Sequence, residues 1–482
     1  MITAKAFVGK HYAVYGLARS GLATVDALLA SGARVTAWDS KEEARNKLLP
    51  GTGRGTASQS GVVEGAHLSA ASTVGPHHHP SDGPPPRSGE DLVIANLDEA
   101  DLSQFDSLVV TPGLPLNRHP IATRARAANL EIIGDIELFA RARPELPPHK
   151  VVGITGTNGK STTTALVHHI LRTAGVPTTM GGNIGLPILA QDPLPDGGVY
   201  VLELSSFQID LTQSLDCDVA VLLNITPDHL DRYESFEAYA ASKVRLFQMQ
   251  SIEHPAHFGM SQAALEAIKI AGEDARRWEP LLRPTPLRGL DNKGIRLWAL
   301  GDNPEPPRSL TGDHNAQNLE AASTAVANLE IVTPQQRIDG VMSFPGLPHR
   351  MERIREKDGV LFVNDSKATN PTATAPALAA FEKIRWILGG QAKTDNLDEC
   401  LPYLGHVRTA YTIGEAAELF ERLLKPHIPV KNCGKLELAV REAAQDSEAG
   451  DTVLLSPACA SFDHFRDFED RGDQFRSQVR GL

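Results

Sequence analysis

The stretch that decides the fold is Val151–Thr162, VVGITGTNGKST: a β-branched apolar run, then Gly153, Gly156 and Gly159, then Lys160, Ser161 and Thr162 opening a helical pattern. A hydrophobic strand that turns through glycines into a helix gathers backbone N–H groups and the positive end of the helix around an anion. Glycine lets the backbone approach, Lys160 can reach the oxygens of a β- or γ-phosphate, and the Ser161 hydroxyl can serve Mg²⁺. The strict phosphate-loop spacing wants glycine where Ile154 stands, so this is a shorter variant. An ordinary turn is the competing reading, and the strand before and helix after argue against it.

Outward from this loop the chain alternates strands and helices in three blocks. Before it, HYAVYG ends at Gly16, a helical pattern covers Ser20 to Ser31, and ARVTAWD, SLVVTPG and LEIIGD follow as strands, with a helix from Ile136. The proline-rich RARPELPPHK reads as a linker. After the loop come YVLELS and VAVLLNIT, then helices through Ala327. A third block starts after FPGLPHRME with the strand VLFVND and continues through IRWILGG, TAYTIG and DTVLLS. This rhythm predicts an α/β fold of three domains with mainly parallel sheets, 1–140, 141–346 and 347–482, and 482 residues suit about three cores. Between about Leu49 and Glu90 the composition turns to Gly, Ser, Pro and His, with His77, His78 and His79, and reads as a mobile insertion in the first domain rather than a metal site.

Composition narrows the class. With 41% hydrophobic and 22% charged residues and no long apolar window, the chain reads as a soluble cytoplasmic enzyme with no membrane span and no signal peptide. A formal charge of −12 argues against general nucleic-acid binding, so any phosphate contact is local. Cys217, Cys400, Cys433 and Cys459 are scattered without a C-x-x-C pair, which argues against disulfides and structural zinc.

Glu203 ends the strand YVLELS, and the next strand delivers Asp228 and His229 to the same layer. Open parallel sheets bind ligands at the carboxyl ends of their strands, so this carboxylate and imidazole are candidate Mg²⁺ holders beside the phosphate loop. Taken alone, each is more often a cap or a solvated side chain, and their shared position at strand ends reverses that reading. Lys243, in the helix EAYAASKVRLF, reads by itself as solvated.

Taken together, GTNGKST, GGNIGLP, ELSSFQ, NITPDHLDRY, GLPHRME, NDSKATNP and LLSPACASFDHF resemble the Mur ligase family over nearly the whole chain. GDIELF, ELSSFQ, NDSKATN and SPACASFDHF point within it to the members that add D-glutamate. The resemblance implies a Rossmann-like first domain for a UDP group, a central P-loop ATPase, and a Rossmann-like last domain for the incoming amino acid. It implies ATP and Mg²⁺ as cofactors, UDP-N-acetylmuramoyl-L-alanine and D-glutamate as substrates, and a monomer. Lys160, Glu203, His229 and Lys243 become the catalytic set. Ser161 and Glu203 are expected to hold one Mg²⁺, with His229 and a carbamylated Lys243 at a second. The ATP pocket is expected to take Gly156, Thr157, Asn158, Gly159, Lys160, Ser161 and Thr162, with Asn318, Arg350 and Asp365. The UDP-substrate is expected at Leu17, Ala18, Asp39, Ser40, Thr111 and Gly113, with Asn183, Ser205 and Gln208 on its sugar and peptide. D-Glutamate is expected at Thr369, Lys393, Ser461 and Phe468.

Three competitors stand beside this reading. VYGLARSG with Asp39 is an imperfect dinucleotide fingerprint, with Ala18 where a second glycine belongs, so NAD binding is the weaker alternative. A sister ligase or folylpolyglutamate synthase would share the chemistry but not the amino acid. A UDP-sugar-binding protein without catalysis would have no use for Lys160, Glu203, His229 and Lys243 together. Linkers near Pro148 and Pro348 are expected hinges.

Overall fold

The computed structural model describes residues 1–48, 91–226, 228, 231–251, 253–254, 256–258, 307–310 and 313–482. The His- and Pro-rich insertion with His77–His79, and His229, lie outside the described residues.

Three sheets carry the architecture. The first holds β1 (His11–Tyr15), β2 (Arg34–Trp38), β3 (Leu92–Ile94), β4 (Ser107–Val110) and β5 (Ile132–Ile133) in the order β3-β2-β1-β4-β5, every pair parallel. The second holds β6 (His149–Thr155), β7 (Thr178–Gly182), β8 (Gly198–Glu203), β9 (Val219–Leu222) and β10 (Ala256–Phe258) in the order β10-β9-β6-β8-β7, again all parallel. The strand order reverses at β1/β4 and at β6/β9. Such switch points open a crevice at the carboxyl ends of the strands. The central strands are apolar without alternation because both faces are covered: SLVV of β4, GVYVLE of β8 and VAVL of β9 are buried at every position.

The third sheet contains β11 (Glu352–Lys357), β12 (Val360–Asn364), β13 (Ile384–Gly389), β14 (Val407–Ile413), β15 (Val430–Gly434) and β16 (Thr452–Leu455), ordered β11-β12-β16-β13-β14-β15. Its first strand corrects the sequence reading, which began this block at VLFVND. ERIREK pairs antiparallel with β12 as an edge strand, and its charged alternation carries no apolar run to announce it.

By compactness the chain forms two units, 1–301 with 317–341, and 302–316 with 342–482. In the first unit a single hydrophobic cluster runs from Val14 and Val25 through Ile136 and Phe139 to Tyr200 and Val244, so the first two sheets share packed apolar surface. The segment read as a linker is anchored: Arg143 donates to His149 and, at 3.1 Å, to Asp218, and Glu145 accepts from the Lys5 and Ala6 amides. Among the described residues no helix is long and apolar enough to cross a membrane. All four cysteines are free and buried.

Candidate active site

The loop after β6 is shaped by two left-handed glycines, Gly156 (φ 147°) and Gly159 (φ 84°), and Gly159 caps the helix Lys160–Thr173. A Cβ on Gly159 would lie 2.2 Å from Asn318 Oδ1, and at this φ a side chain is strained in any case, so glycine is favoured. Asn318 is itself buried, with Oδ1 3.3 Å from the Thr163 hydroxyl, which brings one expected nucleotide residue onto the loop. Asn224, just beyond β9, grips the loop from the other side: its Oδ1 accepts from the Asn158 amide at 2.9 Å and its Nδ2 donates to the Asn158 carbonyl at 3.1 Å. Sequence reasoning gave Asn224 no role, although it opens the quoted NITPDHLDRY.

Lys160 Nζ donates to the carbonyls of Gly156 (2.9 Å) and Thr157 (2.7 Å). Lys243 is the main correction. It is 2% exposed, not solvated, and its ammonium donates to Gly156 O at 2.9 Å while lying 4.8 Å from the ring centre of Tyr239. Burial first, and the charge of Lys160 second, hold its pKa well below the ordinary lysine value. The reading failed because burial of a helical lysine is decided by what its helix packs against.

Glu203, at the end of β8, is buried. Its Oε1 accepts from Asn183 Nδ2 at 3.0 Å, but Oε2 has no hydrogen-bond partner among the described residues. An orphaned carboxylate oxygen in a crevice fits a cation. With the hydroxyl of Ser161 in the first turn of the helix, this donor set suits Mg²⁺, which takes few protein ligands and completes its shell with phosphate and water. Among the described residues no three His, Cys, Asp or Glu side chains gather as a metal cage.

At the end of the first sheet, Gly16 (φ 96°) turns the chain so tightly that a Cβ would meet Thr111 Oγ1 at 2.3 Å. Asp39 fixes the turn, accepting from the Leu17 amide (2.7 Å) and the Lys41 amide (2.9 Å). Ala18 caps the helix Arg19–Ala30, and Ser40 offers its carbonyl to Arg45, whose guanidinium lies 4.5 Å over Trp38. Leu17, Ala18, Asp39, Ser40, Thr111 and Gly113 thus fall at neighbouring strand ends. Ser205 and Gln208 form a reciprocal capping box on the helix Ser206–Asp210, and Gln208 is buried.

In the second unit Asp365 directly follows β12. Its carboxylate is buried, accepts from Ser456 (2.8 Å) and the Met351 amide (3.2 Å), and burial pushes its pKa up to about 7, with Arg350 opposing that rise. Lys393 Nζ reaches Thr369 Oγ1 at 3.5 Å, and the Gln391–Ala460 bridge sets their segment beside Ser461. Read without the resemblance, Ser461 suggests a helix start. Here it sits buried in a turn, and Phe468 opens the helix Phe468–Gly481 with Lys367 3.9 Å over its ring. Arg471, unread in the sequence, is fully buried and donates to the carbonyls of Ser366, Gly389, Cys459 and Ala460.

Comparison with known proteins agrees with this layout. Residues 154–271 match the Mur ligase middle domain, and residues 349–459 match the Mur ligase, glutamate ligase domain. The chain is 52% identical over its whole length to the UDP-N-acetylmuramoylalanine–D-glutamate ligase of Novosphingobium aromaticivorans, covering 97% of that protein. It is 49% identical to the enzyme of the same name from Sphingopyxis alaskensis, with all of both chains covered. Among solved structures, the UDP-N-acetylmuramate-alanine ligase of Thermotoga maritima superposes with a TM-score of 0.53 at 14% identity over 98% of this chain and 99% of that one, and shares the fold. The MurF ligase of Thermotoga maritima gives a TM-score of 0.51 at 18% identity, over 80% of this chain and 97% of that one. Full-length identity of this size, with two matching domain models and strand-end residues gathered on a phosphate loop, reflects common descent: the chain belongs to the Mur ligase family.

Proposed function

We infer that this chain is an ATP-dependent ligase that joins D-glutamate to UDP-N-acetylmuramoyl-L-alanine in peptidoglycan precursor synthesis. The observation that carries the inference is the full-length identity to two curated D-glutamate ligases, 52% and 49%. The site geometry supports the chemistry. One oxygen of the L-alanine carboxylate attacks the γ-phosphorus of ATP, the bond to the bridging oxygen breaks, and ADP leaves. The D-glutamate nitrogen then attacks the acyl carbon, phosphate departs with the bonding electrons, and the nitrogen loses its extra proton. Lys160 and the amide-rich loop hold the phosphates in line, where positioning and charge stabilisation do most of the work. Mg²⁺, when bound, supplies charge neutralisation at the phosphate oxygens. Ser161 and Glu203 would hold it, with His229 and a carbamylated Lys243 at a second position.

Carbamylation of Lys243 is proposed because this amine is buried, donates to the Gly156 carbonyl and sits beside Lys160. The deprotonated amine attacks the carbon of CO₂, one C–O π bond breaks onto oxygen, and the nitrogen gives up its remaining extra proton to solvent, so a cation beside Lys160 becomes an anion. Gly156–Thr162, Asn318, Arg350 and Asp365 are assigned to ATP. Leu17, Ala18, Asp39, Ser40, Thr111, Gly113, Asn183, Ser205 and Gln208 are assigned to the UDP-substrate, and Thr369, Lys393, Ser461 and Phe468 to D-glutamate. Three domains, 1–140, 141–346 and 347–482, would each bring one reactant, and we place the enzyme in the cytoplasm as a monomer. Substrate carrying oxygen-18 in its alanine carboxylate tests the route: the label is expected in the released phosphate, and label-free phosphate would overturn the acyl-phosphate step.

A further inference from the structure

The loop after β4 is held from a distance. Arg232, in the segment that follows His229, donates to the carbonyls of Leu114 (2.9 Å), Gly113 (3.3 Å) and Pro112 (3.5 Å). Its guanidinium lies 4.3 Å over the ring of Phe207, which sits in the helix Ser206–Asp210 beyond Glu203. The tie runs both ways: Asn117 Nδ2 (3.2 Å) and Arg118 (2.6 Å) donate back to the Asp231 carbonyl. Beside these contacts opens a cavity of about 480 Å³ bordered by Leu114, Asn117, Phe207, Arg232 and Tyr233. Leu114 and Leu116 rest on the apolar cluster around Leu108 and Val110, and on the cavity side the polar ties to Arg232 hold the loop.

Three carbonyls from consecutive residues aimed at one guanidinium need a planar fork with several donors, which arginine has and lysine lacks. We propose that Arg232 is a positioning residue that sets the loop 112–114 for the UDP-linked substrate and couples it to Phe207 in the helix Ser206–Asp210. This rests on the assignment of Thr111 and Gly113 to that substrate. Gly113 at one strand end and the helix capped by Ser205 and Gln208 at another, both assigned to that substrate, are then tied by one side chain.

The test is steady-state kinetics of Arg232→Met and Arg232→Lys in the full chain, varying UDP-N-acetylmuramoyl-L-alanine and ATP separately. Arg232→Met is expected to raise KM for the UDP-substrate by about tenfold or more, with KM for ATP changed by less than about twofold and kcat by less than about fivefold, and Arg232→Lys is expected to fall between. Amide exchange at Gly113 and Leu114 is expected to speed up in the substrate-free variant. An unchanged KM for the UDP-substrate, or an equal rise for ATP, would overturn the proposal. Should Arg232→Met not fold, Phe207→Leu decides: removing the stacking surface is expected to raise the same KM by about threefold, and no rise overturns the proposal. A wild-type enzyme with no turnover of the UDP-substrate would instead overturn the ligase reading itself.

Discussion

Lys160 and Lys243 donate hydrogen bonds to one acceptor, the Gly156 carbonyl, each at 2.9 Å. Two ammonium groups on a single carbonyl, one of them buried, repel each other across a low-dielectric space. The arrangement is relieved when one of the pair carries an anion or faces the phosphates of ATP.

Lys243→Ala is accordingly expected to lower kcat by at least about a thousandfold, the scale on which a charged transition state loses a preorganised partner. If the lysine works as a carbamate, acetate or propionate in the assay restores part of the rate. If it works as a cation, methylammonium restores it and the carboxylates do not.

Gly159→Ala puts a methyl group 2.2 Å from Asn318 Oδ1 at a φ of 84°. The loop is strained at that φ and either it or the Asn318 side chain must shift, so KM for ATP is expected to rise by about tenfold or more while KM for the UDP-substrate stays near its wild-type value. Parallel titrations of the two substrates check it.

Asp365 gives a pH signature in stability. Burial raises its pKa from 3.8 to about 7, so the folded chain holds a proton there that the unfolded chain has released. The contribution of the protonated carboxyl is complete below pH 3.8 and is lost as pH rises through 7, at about 1.4 kcal/mol per pH unit and about 4 kcal/mol in all. Urea denaturation of wild type against Asp365→Asn between pH 4 and 7 reads it, and the wild-type curve is expected to fall relative to the variant. Parallel curves would contradict the assignment.

Arg471→Met takes the guanidinium away from four backbone carbonyls, those of Ser366, Gly389, Cys459 and Ala460, of which Ala460 keeps the Gln391 amide. A loss of about 3 kcal/mol or more is expected, together with a raised KM for D-glutamate, because these carbonyls lie on the segments of Lys393 and Ser461. Equilibrium unfolding and a D-glutamate titration check the two parts.

What was legible in the sequence follows from locality. The phosphate loop could be read because strand, glycines and helix are contiguous and each states its geometry through residue type. The central strands could be read because sheets covered on both faces demand unbroken apolar runs, as in β8 and β9. Strands β7 (TTMGG) and β11 (ERIREK) lack that signal, since a peripheral position relaxes the demand. Lys243, Arg232 and Arg471 were illegible for one shared reason. Long cationic side chains in polar helices or loops read as solvated, and only tertiary packing decides which of them turn inward to backbone carbonyls. Asn224 had a local signal, an asparagine just past a strand end, and was passed over.

The most direct test is phosphate release from ATP by the full chain with Mg²⁺ and UDP-N-acetylmuramoyl-L-alanine, comparing D-glutamate with L-glutamate, L-alanine and a diamino acid. Release that depends on the UDP-substrate and proceeds with D-glutamate alone is the expected result. Release driven by another amino acid, or none under any combination, would contradict the account.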